Sequence, residues 1–396
     1  MSTRSDIVVA GHICLDVIPA ISQGQEAFER LFRPGRLVEI GPVTFSTGGP
    51  VANSGLALQR LGIHAQLMGK TGDDLYGEAL RHLVARQGAE LAEGMLVDPA
   101  AATSYTIVIN PPQMDRIFLH HPGANDTFVA SDVRYERVAE SRAFHFGYPP
   151  IMKAMYREGG RELTQVFRQA KATGATTSLD MALPDPTSAS GQADWAAILR
   201  DTLPYVDIFM PSAEELLYML RRPLLHELQR RAQDSDVLPL VTAPLLSSLA
   251  EEVLAMGCKI SVIKLGRCGL YLRSGSRAAL EGLGRARPSD LAAWADRELW
   301  APAFRANEVG ATGSGDASIA GFWAALLRDL SPEEAVIAAA AVGACNVEAA
   351  DALSGILTWP ETQERIQAGW ARHEMAVDAA GWRYDPAWQL WIGGAR

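Results

Sequence analysis

Short apolar runs alternate with stretches of helical periodicity along almost the whole chain. Seven of these runs predict buried strands, at 6–11, 65–69, 144–148, 175–180, 206–210, 259–265 and 269–273. Five stretches with apolar residues at helical spacing predict crossover helices, at 51–62, 74–87, 151–173, 194–203 and 213–221. This alternation is typical of βα units, so the sequence predicts an α/β fold with a mainly parallel sheet.

A second pattern interrupts the alternation in the first half of the chain. Four segments alternate apolar and polar side chains, at 14–20, 37–46, 103–110 and 115–121. Because this is the period of half-exposed strands, the segments predict a small separate sheet. Two further stretches, about 222–250 and 274–300, add length without recognisable chemistry, and we interpret them as insertions.

Composition and charge narrow the classes of function. The 396 residues include 36 Lys and Arg against 46 Asp and Glu, a net charge of −10. This net negative charge argues against a protein that binds the phosphate backbone of a nucleic acid. The four cysteines form no CxxC pair, so the sequence indicates neither a disulfide framework nor a zinc ribbon, and we expect a cytoplasmic setting. Neither a signal peptide nor a membrane helix is expected.

The segment Gly310–Trp323 is a glycine-rich turn that leads into an amphipathic helix. A helix N-terminus offers free N–H groups, and glycines let a phosphate approach them, so the turn into this helix predicts an anion hole. Asp316 would lie beside that phosphate, where its carboxylate takes a proton from an attacking hydroxyl. The alternative interpretation is that Asp316 only complements the helix dipole.

A second glycine turn, Gly48-Gly49, leads into another helix and puts Asn53 in its first turn. The amide of Asn53 offers donors and an acceptor, which suits a polyhydroxylated ligand. Asp16 follows the first strand, and its carboxylate can accept hydrogen bonds from two vicinal hydroxyls. Taken singly, each of these residues also fits the role of a turn or cap residue.

Together these segments make the chain resemble the ribokinase-like (PfkB) carbohydrate kinases. Six elements occur in the order of that family: Gly48–Asn53, Gly69–Gly77, Gly123–Asn125, Ser212–Glu215, Lys264–Gly269 and Gly313–Asp316. The resemblance implies a ribokinase-like, Rossmann-type three-layer core with a small β-sheet lid, and a homodimer formed through the lid. The implied core comprises 1–13, 47–102 and 122–396, and the implied lid comprises 14–46 and 103–121.

The resemblance also implies an activity and a set of site residues. The expected reaction transfers the γ-phosphate of ATP, with Mg²⁺, to a hydroxyl of a small sugar, sugar acid or nucleoside. The implied general base is Asp316, and the implied anion hole is Gly313, Ser314 and Gly315. The implied substrate-binding residues are Asp16, Gly48, Gly49 and Asn53. The implied nucleotide-binding residues are Lys264, Gly266, Thr312 and Asn346, and Glu215 is implied to hold Mg²⁺ through water.

The sequence departs from the family pattern at three places. Gly310-Ala311 stand where the family has Asp-Thr, which argues against activation by a monovalent cation such as K⁺. Ser212 replaces the Asn of Asn-x-x-Glu. Pro50 and Gly147-Tyr148 stand where ribokinases proper carry Lys and Glu, so ribose is disfavoured. These departures leave an alternative function, a catalytically weak sugar-binding or regulatory protein that retains the kinase fold.

Other signals carry less weight. Gly69-Lys70-Thr71 is not a P-loop, because His64 stands where the motif needs its first glycine. His120 and His121 are adjacent in a predicted strand and point to opposite faces, so they do not share one metal ion. Tyr105 and Tyr148 fit either a sugar pocket or the core. Asp180 fits either a position near the phosphates or a cap.

Overall fold

The computed structural model describes residues 5–21, 34–35, 37–110, 117–233 and 235–394. Ten strands form the main sheet in the order β15-β16-β14-β13-β12-β11-β10-β9-β1-β4. The strands of the main sheet are β1 (Ile7–Gly11), β4 (Ala65–Met68), β9 (Ala143–Gly147), β10 (Thr176–Leu179), β11 (Ile208–Phe209), β12 (Ile260–Lys264), β13 (Leu270–Ser274), β14 (Glu298–Ala301), β15 (Arg383–Asp385) and β16 (Leu390–Ile392).

The prediction of a mainly parallel sheet is confirmed. The six strands from β4 to β12 pair in parallel, and the four at the other edge pair antiparallel. All seven predicted strands are present, although β11 covers only two residues of the predicted 206–210. β14, which overlaps the end of the predicted insertion 274–300, was not predicted, and neither were the two C-terminal strands β15 and β16.

Helices cover both faces of the main sheet. They are α1 (Pro50–Arg60), α2 (Leu75–Ala85), α3 (Tyr135–Glu140), α4 (Lys153–Tyr156), α5 (Arg161–Ala172), α6 (Trp195–Thr202), α7 (Ala213–Leu220), α8 (Arg222–Ala232), α9 (Ala243–Ala255), α10 (Arg277–Leu280), α11 (Leu291–Trp294), α12 (Ser314–Leu326), α13 (Pro332–Asn346) and α14 (Trp359–Gln367). Side chains alternate across β1, so Ile7 and Val9 join the core under α1, α12 and α13, whereas Val8 and Ala10 join the core under α5, α6, α7 and α9. The result is a three-layer fold.

One helix prediction needs correction. The single helix predicted over 151–173 is wrong, because Gly159 and Gly160 adopt positive φ and separate α4 from α5. The stretch 222–250, which the sequence analysis interprets as an insertion, contains the helix α8. It includes the start of α9, whose Leu246, Leu249 and Val253 are buried in the core beside the sheet. None of the helices within the described ranges is long and apolar enough to cross a bilayer.

The small sheet contains β2 (Cys14–Pro19), β3 (Val43–Gly48), β7 (Tyr105–Ile109) and β8 (Ile117–His121), in the order β3-β2-β7-β8. A further pair, β5 (Lys70–Gly72) and β6 (Leu96–Asp98), lies apart from it. The strand predicted over 37–46 is displaced, since 37–42 lie outside any strand and β3 reaches Gly48. Asn125 fixes the junction of the two sheets, accepting from Ile13 N (3.2 Å) and donating to Ile13 O (2.9 Å).

Candidate active site

The candidate site lies where β1, β9, β10 and β12 end and two helices begin. Carboxyl ends of parallel strands meet at one edge of a sheet, which is the usual position of a ligand site in an α/β fold. Tyr148 follows β9, Asp180 follows β10, and Lys264 ends β12. Asn53 and Asp316 stand in the first turns of α1 and α12. The fold therefore gathers residues that are far apart in sequence.

Asp316 is the centre of this group. Its Oδ2 accepts hydrogen bonds from Asn53 Nδ2 (2.9 Å) and from the Tyr148 hydroxyl (3.0 Å). The side chain is only 1% exposed, and its Oδ1 has no hydrogen-bond partner among the described residues. Ser54 adds a hydrogen bond from its hydroxyl to the backbone oxygen of Asp316 (3.2 Å). One carboxylate oxygen is therefore held in place and the other remains as an acceptor.

The charge state of this group follows from burial. Burial raises the pKa of Asp316, while the hydrogen bond from Asn53, the charge of Lys264 and the hydrogen bond from Tyr148 oppose that rise. Burial, and next the charge of Asp316, raise the pKa of Tyr148 well above its ordinary value. Tyr148 therefore stays protonated and acts as a donor to the carboxylate. A buried carboxylate of raised pKa is the form that suits a general base.

The turn before α12 has the conformation that a phosphate site requires. Gly313 adopts φ +75°, and a Cβ at this position would lie 2.6 Å from Ala352 Cβ, so only glycine fits. Ser314 and Gly315 follow as the first residues of α12. Lys264 passes close to Gly315, since a Cβ there would lie 3.7 Å from Lys264 Nζ. The helix N-terminus and an ammonium group thus face the same space.

A cavity of about 340 Å³ adjoins this helix N-terminus. Lys264 and Gly266 line one side of it, and Ser314 and Gly315 line another. Its apolar lining is formed by Leu270, Ala303, Phe304, Ala340, Ala344 and Val347. An apolar slot that opens onto a polar anion site matches the two parts of a nucleotide, the base and the phosphates.

Acidic oxygens lie beside the ammonium group of Lys264. Asp180, which is fully buried, accepts a hydrogen bond from Lys264 Nζ through Oδ1, and its Oδ2 has no hydrogen-bond partner among the described residues. Burial raises the pKa of Asp180, the charge of Lys264 lowers it, and the charges of Glu215 and Asp316 raise it again. The protonation of Asp180 therefore depends on the charges of the other two carboxylates. Oxygen donors of this kind are the ligands that Mg²⁺ prefers.

Glu215 is also part of a capping box. Its Oε2 accepts from Ser212 N (2.6 Å), and Ser212 Oγ accepts from Glu215 N (3.2 Å). The serine that departs from the family pattern thus serves as the N-cap of α7, and the charge of Glu215 raises the pKa of both Asp180 and Asp316.

Asp16 lies in the small sheet beside the glycine turn. A Cβ on Gly48 would lie 2.5 Å from Asp16 Oδ1, and a Cβ on Gly49, which has φ +83°, would lie 2.6 Å from His12 Nδ1. Both glycines are thus required by the side chains packed against them. Burial raises the pKa of Asp16 to about 6, against hydrogen bonds from Cys14 and Thr106.

Three further residues of the predicted motifs lie around these elements. Asn346 is fully buried and donates to Ala352 O (2.7 Å), its Oδ1 has no hydrogen-bond partner among the described residues, and its neighbours Ala344 and Val347 line the cavity. Thr312 lies in the turn before α12, between two cavity-lining residues. Lys70 pairs with Asp132 (3.0 Å) and Asp98 (3.6 Å), which agrees with the exclusion of a P-loop.

Sequence reasoning did not find the role of Tyr148. The residue adopts φ 63°, which is rare for a tyrosine, and this conformation accompanies the hydrogen bond from its hydroxyl to Asp316. Its neighbour Gly147 leaves no room for a side chain, because a Cβ there would lie 2.4 Å from Pro50 Cβ. Pro50 and Gly147-Tyr148, the two places where the sequence departs from ribokinases, are therefore in contact with each other.

Comparison with known proteins agrees with this geometry. The profile of the pfkB family carbohydrate kinases matches residues 4–359. Probable fructokinase-4 of Arabidopsis thaliana is 27% identical over 218 residues, which are 54% of this chain and 62% of that protein. The chain thus spans less than two thirds of that relative. Fructokinase-1 of Oryza sativa subsp. japonica is 22% identical over 378 residues, 93% of this chain and 100% of that protein.

A solved structure shows the same fold. The crystal structure of a fructokinase with bound ATP from Xylella fastidiosa superposes with a TM-score of 0.66 at 18% sequence identity, and the alignment covers 92% of this chain and 99% of that chain.

Proposed function

The chain belongs to the pfkB family of carbohydrate kinases, and from this premise we propose that it transfers the γ-phosphate of ATP to a hydroxyl of a small neutral sugar. The observation that carries the proposal is the buried Asp316 carboxylate, held by Asn53 and Tyr148 at the N-terminus of α12 and beside the cavity that contains Lys264.

In the proposed mechanism, Asp316 is the general base. Asn53 and Tyr148 fix Oδ2, so Oδ1 is directed to accept the proton of the acceptor hydroxyl. The amides of Gly313, Ser314 and Gly315 donate to the oxygens of the transferring group, and Lys264 adds a positive charge on the same side. The protein thus contributes positioning and electrostatic stabilisation, which are the main sources of catalysis in phosphoryl transfer.

ATP and Mg²⁺ fit the residues present. Gly266 and the apolar cavity lining would hold the nucleotide, and Asp180 and Glu215 are the oxygen donors that would hold Mg²⁺, directly or through water. Mg²⁺ supplies neutralisation of phosphate charge when bound.

The small sheet is proposed to provide the acceptor site. Asp16 and Asn53 would accept and donate hydrogen bonds to sugar hydroxyls, with Gly48 and Gly49 allowing close approach. Because the carboxylate of Asp16 would repel an acidic ligand, a neutral sugar is favoured over a sugar acid. The division into a core and a lid, as implied by the sequence, is part of the same proposal.

A substrate panel tests the proposed function. Purified protein with Mg²⁺ and ATP is assayed for ADP release with fructose, other neutral hexoses and pentoses, sugar acids and nucleosides. We expect turnover with a neutral sugar, and fructose is the first candidate because the relatives are fructokinases. Tight sugar binding without turnover across the panel would instead favour a sugar-binding or regulatory protein.

We also propose that the small sheet forms a homodimer contact. One face of it exposes large apolar side chains, with Phe45 of β3 49% exposed and Leu119 of β8 48% exposed. Exposed apolar groups that share one face of a sheet favour association. Sedimentation velocity should show a dimer, and a Phe45→Glu, Leu119→Glu variant should sediment as a monomer; an unchanged dimer would place the contact elsewhere.

Replacing Tyr148 with Phe tests how the base is tuned. The Tyr148 hydrogen bond lowers the pKa of Asp316, so its loss should raise that pKa and shift the acid limb of the pH–rate profile to higher pH. We expect kcat to fall about tenfold, equivalent to about 1.4 kcal/mol. Tyr105→Phe, in the small sheet, is the matched control, and the acid limb of its pH–rate profile should lie at the same pH as in the wild type. An unchanged acid limb in Tyr148→Phe would mean that this hydroxyl does not tune the base.

A further inference from the structure

We propose that His12, Cys14 and His120 form a binding site for Zn²⁺ or a transition-metal dication of similar ligand preference. One ligand atom from each residue lies within 4.8 Å of the other two. His12 follows β1 of the main sheet, whereas Cys14 and His120 belong to β2 and β8 of the small sheet. An ion at this position would join the two sheets beside the acceptor site. The regulatory consequence drawn below rests on the proposed kinase function, but the metal site itself does not.

The spacing of the two imidazoles suits a tetrahedral ion. His12 Nε2 and His120 Nε2 are 3.3 Å apart. Zn–N bonds of about 2.0–2.1 Å at tetrahedral angles separate two ligand nitrogens by about 3.3 Å. With a Zn–S bond of about 2.3 Å, the sulfur should lie about 3.6 Å from each nitrogen, so Cys14 Sγ, which is within 4.8 Å of them, has to approach by at most about 1.2 Å. Two imidazoles and one thiolate are a donor set that Zn²⁺ prefers.

Strand register brings the ligands to one face of the small sheet. Thr106 of β7 pairs with Asp16 of β2 on one side and with His120 of β8 on the other. Cys14 lies two residues before Asp16 and therefore shares this face. Residues on the neighbouring positions, including His121, point to the opposite face. The sequence analysis was thus right to separate His120 from His121, but it missed that the partner of His120 is His12.

Thr106 orients the exposed histidine. Its Oγ1 lies 3.0 Å from His120 Nδ1. When His120 donates from Nδ1 to this oxygen, Nε2 carries the lone pair that a metal ion requires, and outer contacts of this kind support metal sites in general. His12 is buried and His120 is exposed, so an ion has a path from solvent to the buried ligands.

Occupation of the site would affect the proposed acceptor site directly. Cys14 Sγ donates to Asp16 Oδ1 at 3.3 Å. A metal ion would replace the thiol proton, which is released to solvent, and would draw the Asp16 carboxylate toward itself as a fourth ligand. Because Asp16 is proposed to bind the sugar hydroxyls, the ion and the sugar should compete.

Co²⁺ titration of the wild-type protein tests the metal site without assaying activity. We expect one ion per chain, with the d–d bands of tetrahedral Co²⁺ and a sulfur-to-cobalt charge-transfer band, and we expect Zn²⁺ to abolish both. Loss of a contact outside the ligand shell typically weakens metal binding by about 10–100-fold. Cys14→Ser and His120→Asn each remove a ligand, so they should weaken Zn²⁺ binding by more than that. The controls are His121→Asn, on the opposite face of β8, and Cys258→Ser, just before the amino end of β12, and both should bind Zn²⁺ as the wild type does.

Two results would overturn the metal site: a weak octahedral Co²⁺ spectrum without the charge-transfer band, or equal Zn²⁺ affinity in Cys14→Ser. The competition is tested by kinase assays at buffered free Zn²⁺ in excess Mg²⁺. The apparent KM for the sugar should rise with free Zn²⁺ at constant kcat, and only in proteins that retain Cys14. Inhibition that persists in Cys14→Ser would refute the competition. If no sugar is phosphorylated, the proposed function fails and the Co²⁺ spectrum still decides the metal site.

Discussion

Asp316→Asn should lower kcat by about 10²–10⁴, the usual contribution of a positioned general base. Asparagine has nearly the same shape, and its side-chain oxygen can still accept from Asn53 and Tyr148, but the amide cannot take the proton of an acceptor hydroxyl. The KM for MgATP should stay close to that of the wild type, because the amides at the N-terminus of α12 remain in place. Steady-state kinetics with the sugar found in the panel provides both values.

Stability separates this catalytic loss from misfolding. Burial raises the pKa of Asp316 above its value in the unfolded chain, so its contribution to stability is complete at low pH and is lost as the pH rises through the folded pKa. At neutral pH the neutral amide should therefore give a Tm equal to or above that of the wild type. Asp290→Asn, the same change at the N-cap of α11, should retain full kcat. Wild-type kcat in Asp316→Asn would refute the assignment of the base.

The sequence predicted the parts of the fold that depend on local pattern. The apolar run Ile7–Ala10 is buried on both faces, and this continuous hydrophobicity is what marks a central parallel strand. The strands β14, β15 and β16, on the antiparallel side of the main sheet, were not predicted. They are three or four residues long, β14 and β15 mix charged and aromatic residues, and all three form strands because the tertiary fold supplies an antiparallel partner.

The residues of the candidate site likewise fall into those that a local pattern predicts and those that depend on the tertiary fold. Asp316 and the turn at Gly313 could be predicted because a helix N-terminus has a local signature. The hydrogen bond from Tyr148 to Asp316 joins residues 168 positions apart, and the contact between His12 and His120 joins residues 108 positions apart. Such pairs depend on which strand ends meet at the sheet edge, and no local pattern in one sequence records that.

At a pH high enough to ionise Asp180, whose pKa is raised by burial, Lys264→Met should destabilise the folded protein by about 3–5 kcal/mol, the usual cost of leaving a buried charge without its partner. Lys264 donates to Asp180, and the side chain of Asp180 is fully buried. Without the ammonium group, the carboxylate of Asp180 faces Glu215 and Asp316 with no compensating cation. Urea unfolding measures the loss in free energy of unfolding. Arg161→Met, which breaks the exposed pair with Glu158, is the control and should cost about 0–1 kcal/mol.

The pH dependence and a second substitution identify the cause. Loss of Lys264 should raise the pKa of Asp180 further, so the variant is most stable where Asp180 is protonated and loses stability as the pH rises through that value. Asp180→Asn in the same chain removes the unpaired charge, so the double variant should recover most of the free energy and lose the pH dependence. Its KM for MgATP should stay raised, because Lys264 lines the nucleotide cavity and asparagine does not replace its charge. A double variant no more stable than Lys264→Met would show that the lysine stabilises the fold through packing instead of through Asp180.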